Sequence, residues 1–262
     1  MRPHCSWPMA EVRHSALTWR LFDLGLAAFR SGWLLPTRFG GAWPAVSRGR
    51  PVVLVANHVS WWDGFLLREV QKRLRPTAPF HTVVVADQLE QHPMLRRLGG
   101  VPVEPARPSS VLRMLRTLGR LRQVEAETVF GYFPQGRIWP TSRRPLALRR
   151  GVEAVGRMLA PVDVVPVSIH LEPMVDVRPT PFLWLGEPFR ATHRDDTIFS
   201  DAVEERLADG LDQIRMRLDR WGEDTRNLWP DAVEAPAHTP NDVHDGGPIG
   251  SPSPLTEPSC VS

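Results

Sequence analysis

Residues 50–65 read Arg-Pro-Val-Val-Leu-Val-Ala-Asn-His-Val-Ser-Trp-Trp-Asp-Gly-Phe. Pro51 to Ala56 is a short apolar run rich in β-branched side chains, the composition of a buried strand. Asn57 and His58 follow where that strand should end. Ser60-Trp61-Trp62-Asp63 then reads as a helix start, with Ser60 as N-cap and Asp63 three residues on. The chain therefore places a histidine at the carboxyl end of a strand and a carboxylate in the first turn of the next helix. In open α/β sheets, ligand sites form at that edge.

The spacing of the two groups allows more than one reading. Five residues apart on one continuous helix, their side chains would point to different faces. With His58 in the loop and Asp63 in the first turn, the chain can fold back until the carboxylate meets one imidazole nitrogen. That contact fixes the tautomer and stabilises the imidazolium that forms when the other nitrogen takes a proton. The alternative is that Asp63 only caps a helix and His58 is a satisfied loop histidine.

Asn57-His58-x-x-x-x-Asp63 resembles the first block of the glycerolipid acyltransferase family, whose members acylate glycerol phosphate and lysophosphatidic acid. Phe133-Pro134-Gln135-Gly136 resembles that family's Phe-Pro-Glu-Gly block, at a typical spacing from the first. Val164-Val165-Pro166-Val167-Ser168-Ile169 is similar to its last apolar block. Gly99 to Glu104 resembles the block in which a glycine precedes an apolar strand ending in an acidic residue and an arginine. The chain departs from the pattern at three points. Gln135 stands for the glutamate, Pro105 for the arginine after Glu104, and Ile138 for the arginine two residues beyond Gly136, with Arg137 one position early.

The 262 residues carry a formal net charge of +3, and Lys72 is the only lysine. An arginine-based excess suits an anionic lipid surface or a phosphorylated substrate. No zinc spacing, helix-turn-helix signal or ribonucleoprotein motif points to nucleic acid. Cys5 and Cys260, near opposite ends, suggest neither a disulfide framework nor a metal site. His81, His92 and His170 lack ligand spacing, so no metal or other cofactor is expected. No stretch is long and apolar enough to span a bilayer, and the polar, proline-broken start is unlike a signal peptide.

The organisation expected is a flexible 1–14, an amphipathic helix within 15–36, an acyltransferase domain over 45–229, and a disordered tail over 230–262. In the amphipathic helix Phe22, Leu26, Phe29 and Trp33 share a side, either packed on the core or lying in the headgroup layer. Phe39 to Arg50 should be loop. Strands are expected at Phe80–Ala86, Thr128–Phe133 and Val162–Leu171, with a short one after Gly99 and an edge strand at Phe182–Leu185. Helices are expected at Trp61–Leu74, Gln88–Leu98 with Pro93 near its start or at a break, Ser109–Glu125 capped by Ser109 or Ser110, Gly151–Leu159 and Asp201–Trp221. On Ser109–Glu125, Val111, Leu112, Leu115, Leu118 and Leu121 should face inward, with Arg113, Arg116, Arg120 and Arg122 forming a basic side. The fold implied is α/β, a mixed central sheet flanked by helices.

Acyl transfer from a thioester to a hydroxyl needs a base, a stabilised oxyanion and an apolar slot. The resemblance assigns His58 as general base and Asp63 as its orienting partner. No Gly-x-Ser-x-Gly elbow is present, and the acceptor hydroxyl can attack directly. Trp61, Trp62 and Phe65 are candidates for the slot. Acceptor binding falls to Asn57, Arg107, Phe133, Pro134, Gln135, Gly136, Arg137, Arg143 and Arg144. The donor is an acyl thioester on coenzyme A or acyl carrier protein. The acceptor is a lysophosphatidate-type glycerolipid or, because phosphate contacts are displaced, a glycolipid, a glycosylated carotenoid or another lipid alcohol. Lipid binding without catalysis and a metal-dependent hydrolase are the competing classes. The expected location is peripheral, on the cytoplasmic face of a membrane.

Overall fold

The computed structural model describes residues 16–174, 176–192, 197–220 and 229. The expected flexible 1–14 and disordered 230–262 lie outside them. The strands are β1 (Arg38–Gly41), β2 (Val52–Ala56), β3 (Phe80–Val85), β4 (Gly100–Val103), β5 (Val129–Tyr132), β6 (Val162–Glu172), β7 (Thr180–Leu185) and β8 (Phe189–Ala191). The helices are α1 (Ala16–Ser31), α2 (Asp63–Leu74), α3 (Ala86–Gln91), α4 (Met94–Arg97), α5 (Pro108–Val124), α6 (Gly151–Leu159) and α7 (Thr197–Asp219).

The eight strands form one mixed sheet in the order β1-β7-β6-β2-β5-β3-β4, with β8 pairing β6 beside β7. From β6 to β4 the neighbours run parallel, so their carboxyl ends share one edge. Only β7 and β8 meet β6 antiparallel. β2 is central and buried along its whole length, which is why it reads as an unbroken apolar run rather than an alternating one. Its side chains still alternate between two cores. Val53 and Val55 join Met114, Leu118, Val155 and Leu207 on the α5–α6–α7 side. Val52, Leu54 and Ala56 join Trp19, Leu66, Leu67 and Val70 on the α1–α2 side.

The expected loop from Phe39 instead begins as β1, which pairs with β7 from Arg38↔Phe182 to Gly41↔Leu185. Phe182–Leu185 is therefore not an edge but lies between β1 and β6. The Gly40-Gly41 pair hid this strand. Glycine is required there because a Cβ at Gly40 would lie 2.5 Å from the Trp184 ring. Pro93 divides the expected 88–98 helix into α3 and α4. α5 starts with Pro108 at its first turn and has no side-chain cap, while Ser110 Oγ accepts the Glu104 N–H at 2.9 Å. Met114 is buried in α5 and Leu112 is 53% exposed, so the helix is rolled from its expected orientation.

α1 is held to α2 by polar contacts as well as packing. Arg68 pairs with Asp23 at 3.2 Å, Arg30 pairs with Glu69 at 2.7 Å, and the Arg68 guanidinium lies over Trp19. Phe22 turns inward, edge-on to Trp19 and against Phe65. The exposed large apolar residues of this segment are Leu17, Leu21, Leu24 and Trp33, at 59% or more. Leu17, Leu21 and Leu24 share one helical face, so the outward apolar face is not the one expected from Phe22. Nothing is described for the Leu26 and Phe29 side chains. No helix among the described residues is long and apolar enough to cross a membrane.

Candidate active site

Parallel pairing places Val55 beside Tyr132 and Ala56 beside Val167, so the segments leaving β2, β5 and β6 emerge side by side. His58 is carried by the first and Phe133–Gly136 by the second. Asn57, 1% exposed, is a clamp between strands. Its amide donates to the Ile169 carbonyl at 2.8 Å and accepts the Ile169 N–H at 2.7 Å. Each end of the buried amide thus has a backbone partner, so Asn57 ties β2 to β6 at the site.

His58 and Asp63 meet as the spacing allows. Nδ1 lies 2.7 Å from Asp63 Oδ2. The Asp63 carboxylate is fully buried, whereas the His58 side chain is 24% exposed. The same oxygen accepts the Val59 and Ser60 N–H groups at 2.6 and 2.9 Å, and Oδ1 accepts the Ser60 hydroxyl at 2.5 Å. Four donors thus hold one carboxylate at the helix N-terminus, where negative charge is favoured. The N-cap position of α2 is Trp62 rather than the expected Ser60 and makes no side-chain cap; the Asp63 carboxylate instead binds the preceding loop and the imidazole together. The helix begins at Asp63 rather than Trp61, and Ser60 Oγ accepts the Trp62 N–H at 3.1 Å. With Nδ1 engaged, Nε2 is the nitrogen left to exchange protons, and the ring is stacked on Phe133 at 4.5 Å and 24°.

Gln135 is only 3% exposed, and both ends of its amide meet the protein. Its Oε1 accepts the His58 N–H at 2.7 Å, and its Nε2 donates to the Leu146 carbonyl at 2.9 Å. One amide holds the His58 backbone to the loop that follows β5. A carboxylate could accept the first bond but has no proton for the second. The departure from glutamate therefore has a local structural reason. Pro134 is buried and its carbonyl accepts the Arg149 N–H at 2.9 Å. Gly136 has φ +64°, and a Cβ there would lie 3.0 Å from Arg149 Nε. The left-handed conformation favours glycine, and the Arg149 side chain lies close over the turn.

The arginines separate into two groups. Arg137 and Arg143 lie over the Trp139 indole at 4.3 and 3.6 Å, and the Trp139 backbone N–H donates to the His58 carbonyl at 2.8 Å. Arg149, which lies in the basic loop before Gly151 and is not among the expected site residues, packs its guanidinium on the Gly136 turn. These three have no carboxylate partner among the described residues. Arg144 instead pairs with Asp212 of α7 at 3.1 Å, and Arg107 pairs with Glu104 at 3.0 Å beyond β4. The three strand intervals from β2 to β4 amount to about 14 Å, so Arg107 is not gathered at His58. Arg144 lines a separate cleft of about 570 Å³ with Thr141, His170, Glu172 and α7 residues. Arg149 carried a signal after all, since the glycine it packs on belongs to a recognised block.

Tyr132, at the end of β5, is buried, and this pushes its phenol up to about 12, with Arg149 pulling the other way. Trp61, Trp62 and Phe65 form an aromatic group at the start of α2, with Trp61–Phe65 centroids at 5.0 Å. Trp61 is 46% exposed, beside the His58 loop. Among the described residues no three His, Cys, Asp or Glu side chains cluster as metal ligands.

Residues 44–170 match the sequence model of the family described as Acyltransferase. The chain is also similar to a solved structure, the 1-acyl-sn-glycerophosphate (LPA) acyltransferase PlsC from Thermotoga maritima. That likeness has 20% identity and a TM-score of 0.49, covering 76% of this chain and 80% of that one. Among curated proteins, no match was found.

Proposed function

We propose that this chain, whose residues 44–170 match the Acyltransferase family model, is an O-acyltransferase of the glycerolipid acyltransferase family that transfers a fatty acyl group from a thioester to a hydroxyl of a lysophosphatidate-type glycerolipid. The observation that carries the reading is the His58–Asp63 pair, a 2.7 Å contact to a fully buried carboxylate with the other ring nitrogen left for chemistry. The acceptor hydroxyl gives its proton to His58 Nε2 as its oxygen attacks the thioester carbonyl. Asp63 stabilises the resulting imidazolium. The tetrahedral intermediate expels the thiolate, which takes the proton back. The product is an ester and a free thiol, and the enzyme is unchanged.

Arg137, Arg143 and Arg149 support an anionic acceptor. They surround the His58–Gly136 region with no carboxylate partner among the described residues. They substitute for the arginines missing at Pro105 and Ile138. Guanidinium groups suit a phosphate because they offer paired donors in one plane. Trp61, Trp62 and Phe65 provide apolar surface for the acyl chain next to the base.

The test offers a long-chain acyl thioester with lysophosphatidate and, in parallel, with a neutral glycolipid or lipid alcohol. Transfer to lysophosphatidate, with KM for that acceptor raised at least tenfold by Arg149→Ala, is expected. Transfer only to the neutral acceptor would overturn the acceptor assignment and leave the acyl-transfer assignment standing.

A further inference from the structure

We propose that the outer face of α5 docks an acidic protein that carries the acyl group as a thioester. The inference rests on the acyl-transfer reading and names the donor's carrier. α5 is 17 residues long and contains Arg113, Arg116, Arg120 and Arg122 with no acidic residue. Arg113, Arg116 and Arg120 are exposed, and they fall at i, i+3 and i+7, along one stripe. Arg113 and Arg116 have no carboxylate partner among the described residues. Leu112 and Val124, 53% and 79% exposed, flank the arginines at the two ends of this stripe. The adjoining α6 adds the exposed Arg157. Apolar positions bracketing a row of cations fit the surface of an acidic folded protein better than a featureless polyanion.

The position of α5 selects against a bilayer. α5 buries Met114, Leu115 and Leu118 on one side of the sheet, whereas α1 buries Trp19 on the other. The exposed leucines of α1 and the arginines of α5 therefore belong to opposite helix layers. Two helix layers with a sheet between them lie about 20 Å apart, more than twice the ~8 Å screening length at physiological salt. A membrane met by Leu17, Leu21 and Leu24 leaves the α5 arginines in water. α5 also follows directly from the carboxyl end of β4, on the sheet edge that carries His58. A partner on α5 stands beside the reaction edge from the aqueous side.

The experiment compares wild type with Arg113→Glu/Arg116→Glu, using the same long-chain acyl group on a purified acyl carrier protein and on coenzyme A. Both positions are exposed, so an unchanged Tm checks the fold. Calorimetric binding of the unacylated carrier protein is measured alongside. The expected result is at least a tenfold loss of carrier-protein affinity and a matching rise in KM for the carrier-bound donor. KM for the coenzyme A donor stays within twofold, and the carrier-protein affinity of wild type falls as salt rises. Equal kinetic effects on both donors, or unchanged carrier-protein binding, would overturn the proposal. So would loss of binding to anionic vesicles with carrier-protein binding intact, which would make α5 a lipid contact. Absence of transfer from either donor would sink the acyl-transfer reading, while the binding measurement would still decide the docking surface.

Discussion

Replacing Gln135 with glutamate restores the residue usual in the family's block, and the geometry says it should damage this protein. The amide is 3% exposed and bridges the His58 N–H and the Leu146 carbonyl at 2.7 and 2.9 Å. An ionised carboxylate keeps the first bond and sets an oxygen against the second carbonyl. An unsatisfied buried polar group costs about 1–3 kcal/mol. At roughly 2–4 °C per kcal/mol for a domain of this size, Tm should fall by about 2–12 °C at neutral pH. Burial favours the protonated carboxyl, which can donate to the Leu146 carbonyl. The penalty is therefore small below the ordinary glutamate pKa of about 4.3 and grows as the pH rises through the elevated value in the fold. Calorimetric scans of wild type and Gln135→Glu at pH 5 and pH 8, with KM for the acceptor at pH 8, provide the check. Equal Tm at both pH values together with a lower KM for lysophosphatidate would refute the bridging role and return position 135 to the acceptor site.

Asp63→Asn should lower kcat by about 10²–10⁴-fold by leaving His58 without its counter-charge and in the wrong tautomer; steady-state kinetics would show it, and a loss under tenfold would contradict the orienting role. Replacing Leu17, Leu21 and Leu24 with serine should weaken partition onto lipid vesicles at least tenfold while leaving Tm within 2 °C, given that burying a leucine is worth about 1.5–3 kcal/mol; sedimentation with vesicles reads the outcome. Tyr132 is the only tyrosine in the chain, so absorbance at 295 nm should show its phenolate forming near pH 12 in the folded protein. Its folded value lies above the unfolded value of about 10, so its stabilising effect is present below pH 10 and lost between there and pH 12; a midpoint near 10 in folded protein would contradict its burial.

The central strand and its site were legible because several signals coincide there. β2 is buried on both faces, so its five residues form an uninterrupted apolar run. The helix-start pattern then fixes where Asp63 lies relative to His58. β1 was not legible, because Gly40 and Gly41 are absent from strand propensities and are required only by Trp184 and Leu185, which are distant in sequence. The orientation of α1 was missed for a related reason. Its sequence is apolar on more than one side, and only contacts to Phe65 and Arg68 decide which side faces inward. Motif matching marked Asn57 and Gln135 but could not show that their amides bind backbone. An amide that binds backbone and one that binds substrate look alike until both ends are traced. Arg149 illustrates the converse, reaching the site through a turn glycine rather than through a motif position.

The measurement closest to the main claim is kcat for acyl transfer from a long-chain thioester to lysophosphatidate by wild type and His58→Ala. Both proteins are matched for Tm, so folding is not the variable. Loss of the general base predicts a fall in kcat of about 10²–10⁴-fold with KM for the acceptor little changed. Activity within tenfold of wild type, in a variant of unchanged Tm, would contradict the assignment of His58 as the residue that takes the acceptor's proton.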